Sequence, residues 1–162
     1  NSLIKDYRKD KKEDKSLKAN VSKTSTVYHI KLKHLKDVLK IPLSVIANGN
    51  RNNYGYDVFE WDDETFLNFN IYKKNQEYDW HKDVDNSKFV DVKLTALINV
   101  SDQKFTGGEF FLLNHKKPTP VSELNKSGSM VIFNSFILHK VKPVLKGTRK
   151  TLTIFIKGPS FK

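Results

Sequence analysis

The sequence predicts a mainly β protein closed into a sandwich or barrel, with helices laid over one of its sheets. Three observations carry this. Beyond residue 64 the chain divides into eight strand-like stretches, at 65–73, 77–84, 91–101, 108–114, 119–124, 129–134, 138–145 and 149–157. Turn-forming residues separate them: Asn86-Ser87, Thr106-Gly107-Gly108, Lys116-Lys117-Pro118, Ser127-Gly128 and Lys146-Gly147. Helical spacing is confined to residues 28–47. Short strands at such intervals build sandwiches and barrels.

Taken in order, residues 1–26 are rich in Lys, Asp, Ser and Asn and poor in apolar residues. They read as a basic, flexible or weakly ordered arm. From Tyr28 to Ala47 the apolar positions Leu32, Leu35, Val38 and Leu39, then Leu43 and Ile46, suggest a short helix ending near Lys40. Pro42 opens a second helical turn. Asn48-Gly49-Asn50-Arg51-Asn52-Asn53 reads as a turn. Residues 27–162 then form one domain, since 162 residues suffice for a single core.

Strand alternation shows which way the side chains face. In 149–157, Arg149, Thr151 and Thr153 share one side and Leu152, Ile154 and Ile156 the other. Asn68, Asn70 and Tyr72 likewise oppose Leu67, Phe69 and Ile71, and Thr95, Leu97 and Asn99 oppose Leu94, Ala96 and Ile98, so each strand has a mostly polar face and an apolar one. The helices need an apolar surface to cover. The usual arrangement turns the polar faces to solvent; here the apolar faces are expected to pack under helix instead, and the polar faces, with Arg149 among them, to line an interior that holds a polar ligand. Exposure of Thr95, Asn99 and Arg149 would refute this inversion.

The net charge is +11, and residues 1–40 carry 12 Lys/Arg against 5 Asp/Glu, a net of +7 that leaves +4 for the rest. Such an arm suits solubility or an acidic partner such as nucleic acid. There are no cysteines, which excludes a disulfide scaffold and Cys-held zinc or iron–sulfur clusters and fits a cytoplasmic location. No apolar run reaches a membrane span, and the polar start shows no signal peptide.

The chemistry-bearing residues are His81 and Asp83, two apart on one strand and hence on one side. His139 and Arg149 follow. Two imidazoles and one carboxylate can hold a first-row metal and leave the opposite face open. A guanidinium at a strand start, beside two threonines, can grip a carboxylate. Asp85 is a reserve carboxylate on the same side. His29, His34 and His115 fall in helix or turn contexts without a carboxylate at ligand spacing and read as structural.

From about Leu67 to Pro159 the chain resembles the prolyl-4-hydroxylase-like 2-oxoglutarate/Fe(II)-dependent dioxygenases. The resemblance rests on Tyr72, Tyr78-Asp79-Trp80-His81-Lys82-Asp83, Leu94-Thr95-Ala96-Leu97-Ile98-Asn99-Val100 and Thr106-Gly107-Gly108-Glu109-Phe110. It continues through Gly128-Ser129-Met130-Val131-Ile132-Phe133, His139-Lys140-Val141-Lys142-Pro143-Val144 and Gly147-Thr148-Arg149-Lys150-Thr151. It implies a double-stranded β-helix (jelly-roll) core with the N-terminal helices on one sheet. It also implies that His81, Asp83 and His139 ligate Fe(II), and that Arg149, helped by Thr151, binds the distal carboxylate of 2-oxoglutarate. Tyr72 matches a tyrosine that approaches this co-substrate, and Asn99 stands where some relatives place a tyrosine on its distal carboxylate. Ascorbate is a further candidate cofactor. Gly107-Gly108 serves a turn or close packing.

The implied reaction is hydroxylation of a substrate coupled to decarboxylation of 2-oxoglutarate to succinate. Asp83 matters here, because related halogenases resemble this scaffold with a small residue in place of the carboxylate. The expected substrate is a prolyl or other residue in a peptide or protein, with a small molecule as a further option and no membrane partner. Two alternatives compete. One is a nucleic-acid oxygenase, suggested by the basic arm, although Thr151 and Phe155 stand where the proteins of that branch carry an asparagine and a second arginine, so the resemblance to it is poor. The other is a jelly-roll binding module or metal isomerase, for which Arg149 has no use. Substrate choice is expected in the segments 46–62 and 84–90. Tyr54, Tyr56, Phe59, Trp61 and Trp80 are read chiefly as packing residues.

Overall fold

The computed structural model describes residues 23–84 and 89–161. Asp85, the reserve carboxylate, and most of the basic arm lie outside them. The first strand, β1 (Thr26–Lys31), falls where a helix was expected to begin. Its Thr26, Val27, Tyr28 and Ile30 are β-branched or aromatic, and such side chains suit a half-buried pleated surface. It pairs antiparallel with β2 (Phe66–Tyr72), in register from Thr26↔Ile71 to Lys31↔Phe66. His29 therefore sits on a strand, edge-on to Phe66.

The two expected helical pieces are one helix, α1 (Lys36–Gly49), with Pro42 inside it. Leu35, Leu39, Leu43 and Ile46 keep their spacing across the proline, and all four pack on the sheet. Tertiary packing thus offsets the lost hydrogen bond, which costs about 3 kcal/mol in an isolated helix interior. The expected turn at 48–53 instead continues as a π turn, Asn50–Tyr54, that stops at Gly55 in the left-handed region. Asn50 turns inward, where its amide bonds the carbonyl and the N–H of Tyr56 at 2.8 and 3.1 Å. A polar run that looks like a surface loop is here a helix terminus with a buried cap.

The remaining strands are β3 (Tyr78–His81), β4 (Val90–Asn99), β5 (Thr106–Gly107), β6 (Phe110–Asn114) and β7 (Lys117–Pro120). After them come β8 (Met130–Asn134), β9 (His139–Val141), β10 (Val144–Lys146) and β11 (Arg149–Pro159). The expected strand 119–124 is half strand and half 3-10 turn, Ser122–Asn125. The expected strand 138–145 is broken at Lys142-Pro143, since proline cannot donate to a ladder.

One sheet runs β1-β2-β11-β4-β8, a second β3-β9-β6-β7, and β10 pairs with β5. Helix α1 and the 54–61 segment cover the outer face of the five-stranded sheet over Leu67, Phe69, Leu94, Ala96, Ile98, Leu152, Ile154 and Ile156. The segment 46–62 thus lies behind the sheet rather than at the mouth of its inner face, which corrects the expectation for it. A second core, with Tyr72, Leu97, Phe110, Phe133, Val141 and Val144, fills the space between the sheets. Thr95, Asn99 and Arg149 are 1%, 0% and 2% exposed, so the polar faces do point inward.

Gly107 and Gly108 both have positive φ, 72° and 66°. A Cβ on Gly107 would run into the Pro143 carbonyl and meet the Leu145 nitrogen at 2.7 Å, whereas one on Gly108 would touch the Arg149 stem at 3.0 Å. Backbone cannot yield as a side chain can. We expect Gly107→Ala to lower stability by about 2–4 kcal/mol, combining left-handed strain and overpacking, in equilibrium denaturation.

Candidate functional site

Antiparallel pairing of β3 and β9 sets His81 directly opposite His139. Their rings lie 4.0 Å apart between centroids, and both residues are buried. Asp83 follows β3 and is fixed by its backbone N–H to the Ser135 carbonyl at 2.9 Å. Its carboxylate oxygens stand 3.7 Å from His81 Nε2 and 3.3 Å from His139 Nε2. All three donor groups fall within 4.8 Å of one another, from residues 58 positions apart at the extremes.

Each imidazole is held in one tautomer. His81 Nδ1 donates to the Asp79 carbonyl at 2.7 Å, and His139 Nδ1 to the Ile137 carbonyl at 2.9 Å. A carbonyl only accepts, so both Nδ1 atoms carry hydrogen and both Nε2 lone pairs face Asp83. Burial, with the neighbouring His139, depresses His81 to about 4, so it is a neutral donor near pH 7. Asp83 is raised by burial but lowered by more through the closeness of His139 and the hydrogen bond of Thr95, whose hydroxyl donates at 2.7 Å. It stays ionised. The set is two imidazole nitrogens and one anion, aimed at one point, which is the donor chemistry of a first-row dication. Because His81 binds its proton near 6.5 when unfolded and near 4 when folded, the metal-free protein should lose stability as pH falls through that window. Chemical denaturation at a series of pH values measures it.

The walls are aromatic. Tyr78 stacks on His81 with centroids 3.4 Å apart, and Phe133 packs edge-on to His139 at 4.8 Å. Deeper between the sheets lies Arg149, opposite Tyr72 in the β11–β2 register, its guanidinium carbon 5.4 Å from that ring. Burial pulls Arg149 down to about 10, against the support of Tyr72, so the guanidinium remains charged at neutral pH. Arg149 Nη1 and Thr151 Oγ1 are buried without a hydrogen-bond partner among the described residues. They leave one face of one strand two residues apart. A buried cation beside an unused hydroxyl is costly unless an anion satisfies both. A carboxylate does.

Asn99 is buried with its amide committed elsewhere. Its Nδ2 donates to the Leu124 carbonyl at 2.8 Å and its Oδ1 accepts from the Ser101 N–H at 2.9 Å. The side chain ties the Ser122–Asn125 turn to the sheet end, so the expected co-substrate contact competes with backbone bonds already made. The groove beside it, lined by Asp102, Gln103, Phe105, Thr106, Glu109 and Ser127, contains none of His81, Asp83, His139 and Arg149. Trp80 lies under the Lys140 ammonium at 4.8 Å.

One residue beside the site was read only as part of the arm. Lys23 is exposed as a residue, but its ammonium reaches Asn70 Oδ1 at 3.2 Å in a part-buried bond and sits 4.7 Å above the Tyr78 ring. Burial there lowers it to about 8, opposed by the attraction of Asp83. No pattern in a lysine-rich segment distinguishes this lysine from its neighbours. Thr95, by contrast, was legible from strand alternation.

A sequence profile described as the 2OG-Fe(II) oxygenase superfamily matches residues 67–157. Among curated protein sequences none matches. The fold is similar to that of a Pseudomonas putida prolyl-4-hydroxylase, with a TM-score of 0.66, 15% identity, and coverage of 87% of this chain and 79% of that one. It is also similar to the viral collagen prolyl hydroxylase of Paramecium Bursaria Chlorella virus-1, solved with 2OG, at TM-score 0.65, 19% identity, and 97% and 88% coverage. A Trichoplax adhaerens prolyl hydroxylase, solved with a peptide fragment of a hypoxia inducible factor oxygen degradation domain, gives 0.66, 16%, 95% and 74%. With the profile spanning more than half of the sequence and every part of the buried site, the chain belongs to the 2OG-Fe(II) oxygenase superfamily.

Proposed function

We propose that this oxygenase hydroxylates a prolyl or other residue in a peptide or protein, with His81, Asp83 and His139 holding Fe(II) and Arg149 and Thr151 holding 2-oxoglutarate. The observation that carries the reading is the pair of unpartnered buried atoms, Arg149 Nη1 and Thr151 Oγ1, on the inward face of the five-stranded sheet, with the three-donor cluster carried by the other sheet. A dicarboxylic acid joined to a metal at one end and to a guanidinium at the other suits that arrangement. The bound iron and co-substrate supply the oxidising power that no side chain has.

The chain's own residues do the rest. The Nδ1–carbonyl bonds hold both imidazoles in the ligating tautomer, and Thr95 orients the Asp83 carboxylate. Tyr78, Phe110 and Phe133 enclose the donors in an aromatic wall that excludes water. Tyr72, whose phenol is pushed up by burial against the pull of Arg149, stays protonated and lies beside the guanidinium. The prolyl hydroxylases with the same fold support a peptide as substrate class, and Asp83 supports hydroxylation over halogenation.

The test is a panel of proline-containing peptides incubated with Fe(II), 2-oxoglutarate and dioxygen. Succinate release above the peptide-free rate, with a gain of one oxygen in the peptide by mass spectrometry, is the expected result. Succinate release stimulated by a small molecule and by no peptide would overturn the substrate class.

A further inference from the structure

Lys23 has no task in the chemistry above, yet the fold places it with care. Its backbone is docked on the edge of β3: Lys23 bridges Tyr78, and Thr24 exchanges hydrogen bonds with Glu77, the Thr24 N–H donating to its carbonyl at 3.1 Å and the Glu77 N–H donating to Thr24 Oγ1 at 2.8 Å. Gln76 Nε2 closes the attachment on the Thr24 carbonyl at 2.6 Å. From this anchored backbone the side chain turns in over Tyr78, whose ring stacks on His81. The ammonium is thus one aromatic ring away from the donor cluster.

An ammonium offers three donors, and one bond here goes to Asn70. Among the described residues Lys23 forms no ion pair within 4.0 Å. Asp83, the anion that attracts it, is engaged by Thr95 and both histidines. Charge in the loaded site makes the point sharper. Fe(II) and Arg149 bring three positive charges, and Asp83 with the 2-oxoglutarate dianion brings three negative ones. Lys23 is left over, and a partly buried cation without a counter-ion among the described residues can gain from one.

We propose that the Lys23 ammonium receives a carboxylate of the substrate, so that the chain selects peptides bearing an acidic group beside the oxidised residue. This rests on the peptide-hydroxylase reading of the same site. The net charge of +11 adds a long-range pull on the same substrates. The carboxylate has two possible sources, an Asp or Glu side chain and a free C-terminus, and the experiment separates them.

Labelled proline peptides are titrated against the full chain loaded with Mn(II) and 2-oxoglutarate under anaerobic conditions, with anisotropy as the readout. Three versions are compared: Asp next to proline with an amidated end, Asn in its place, and the Asn peptide with a free C-terminal carboxylate. We expect one of the two acidic versions to bind about tenfold more tightly than the neutral one, as a charge-assisted bond implies. Lys23→Met should remove the difference, Lys23→Arg should restore it, and affinity for 2-oxoglutarate should not change in either. Equal binding of acidic and neutral peptides by the wild type would overturn the inference while leaving the peptide reading intact. A Lys23→Met variant that keeps the preference, or that loses 2-oxoglutarate instead, would also overturn it. Failure of every peptide to bind or to become hydroxylated would overturn both.

Discussion

Asp83→Ala should abolish substrate hydroxylation and release the iron. Asp83 supplies the one anion among the three converging donors, and its oxygens stand within 3.7 Å of both Nε2 atoms. Without it two neutral imidazoles remain, and neither can offset a dication's charge. Changes to outer partners such as Thr95 typically cost 10–100-fold in metal affinity or activity. Loss of a direct anionic ligand should exceed about a hundredfold. Succinate release and iron content after dialysis both report on it. The variant should still fold, because the alanine removes a carboxylate that burial disfavours and opens no large space. Wild-type turnover in Asp83→Ala would remove Asp83 from the ligand set and take the proposed mechanism with it.

The legibility of this site follows from strand geometry. His81 and Asp83 are two apart, a spacing that sends both side chains to one side whatever the sheet does next. The inward polar face was visible because Arg149, Thr151 and Thr153 alternate with Leu152, Ile154 and Ile156 without interruption. The opposition of His139 to His81 depends instead on β9 pairing with β3 across 58 residues, and only the resemblance to known oxygenases indicated it. What the sequence hid lies where tertiary contacts override local signals. Pro42 and the 48–53 run look like breaks but are absorbed into one continuous helical segment by packing and by the Asn50 cap. Asn99 invites a ligand contact by position, yet two backbone groups consume its amide. Lys23 sits in a segment whose composition says solvent, and only the docking of Lys23 and Thr24 along Glu77 and Tyr78 turns its side chain inward.

Arg149→Met should separate binding from folding. Truncating one member of a buried, hydrogen-bonded charge pair costs about 2–5 kcal/mol of binding, so affinity for 2-oxoglutarate should fall on the order of 30- to 4000-fold. Stability of the ligand-free chain should move little or rise. Its guanidinium is 2% exposed with Nη1 unpartnered, and burial already drags its pKa down to about 10, so the wild type carries an uncompensated cation. Methionine nearly fills the same volume without that charge, and such replacements of buried ions are often neutral or stabilising. The two effects have opposite signs, which guards against mistaking a misfolded variant for a binding defect. Thermal unfolding with and without 2-oxoglutarate, in the presence of Mn(II), measures both. Wild type should gain melting temperature with ligand concentration through mass action, and the variant should start at an equal or higher temperature and stay flat. A variant that is stabilised by 2-oxoglutarate as strongly as the wild type would mean that the diacid is gripped elsewhere, and the two unpartnered atoms on β11 would then need another occupant.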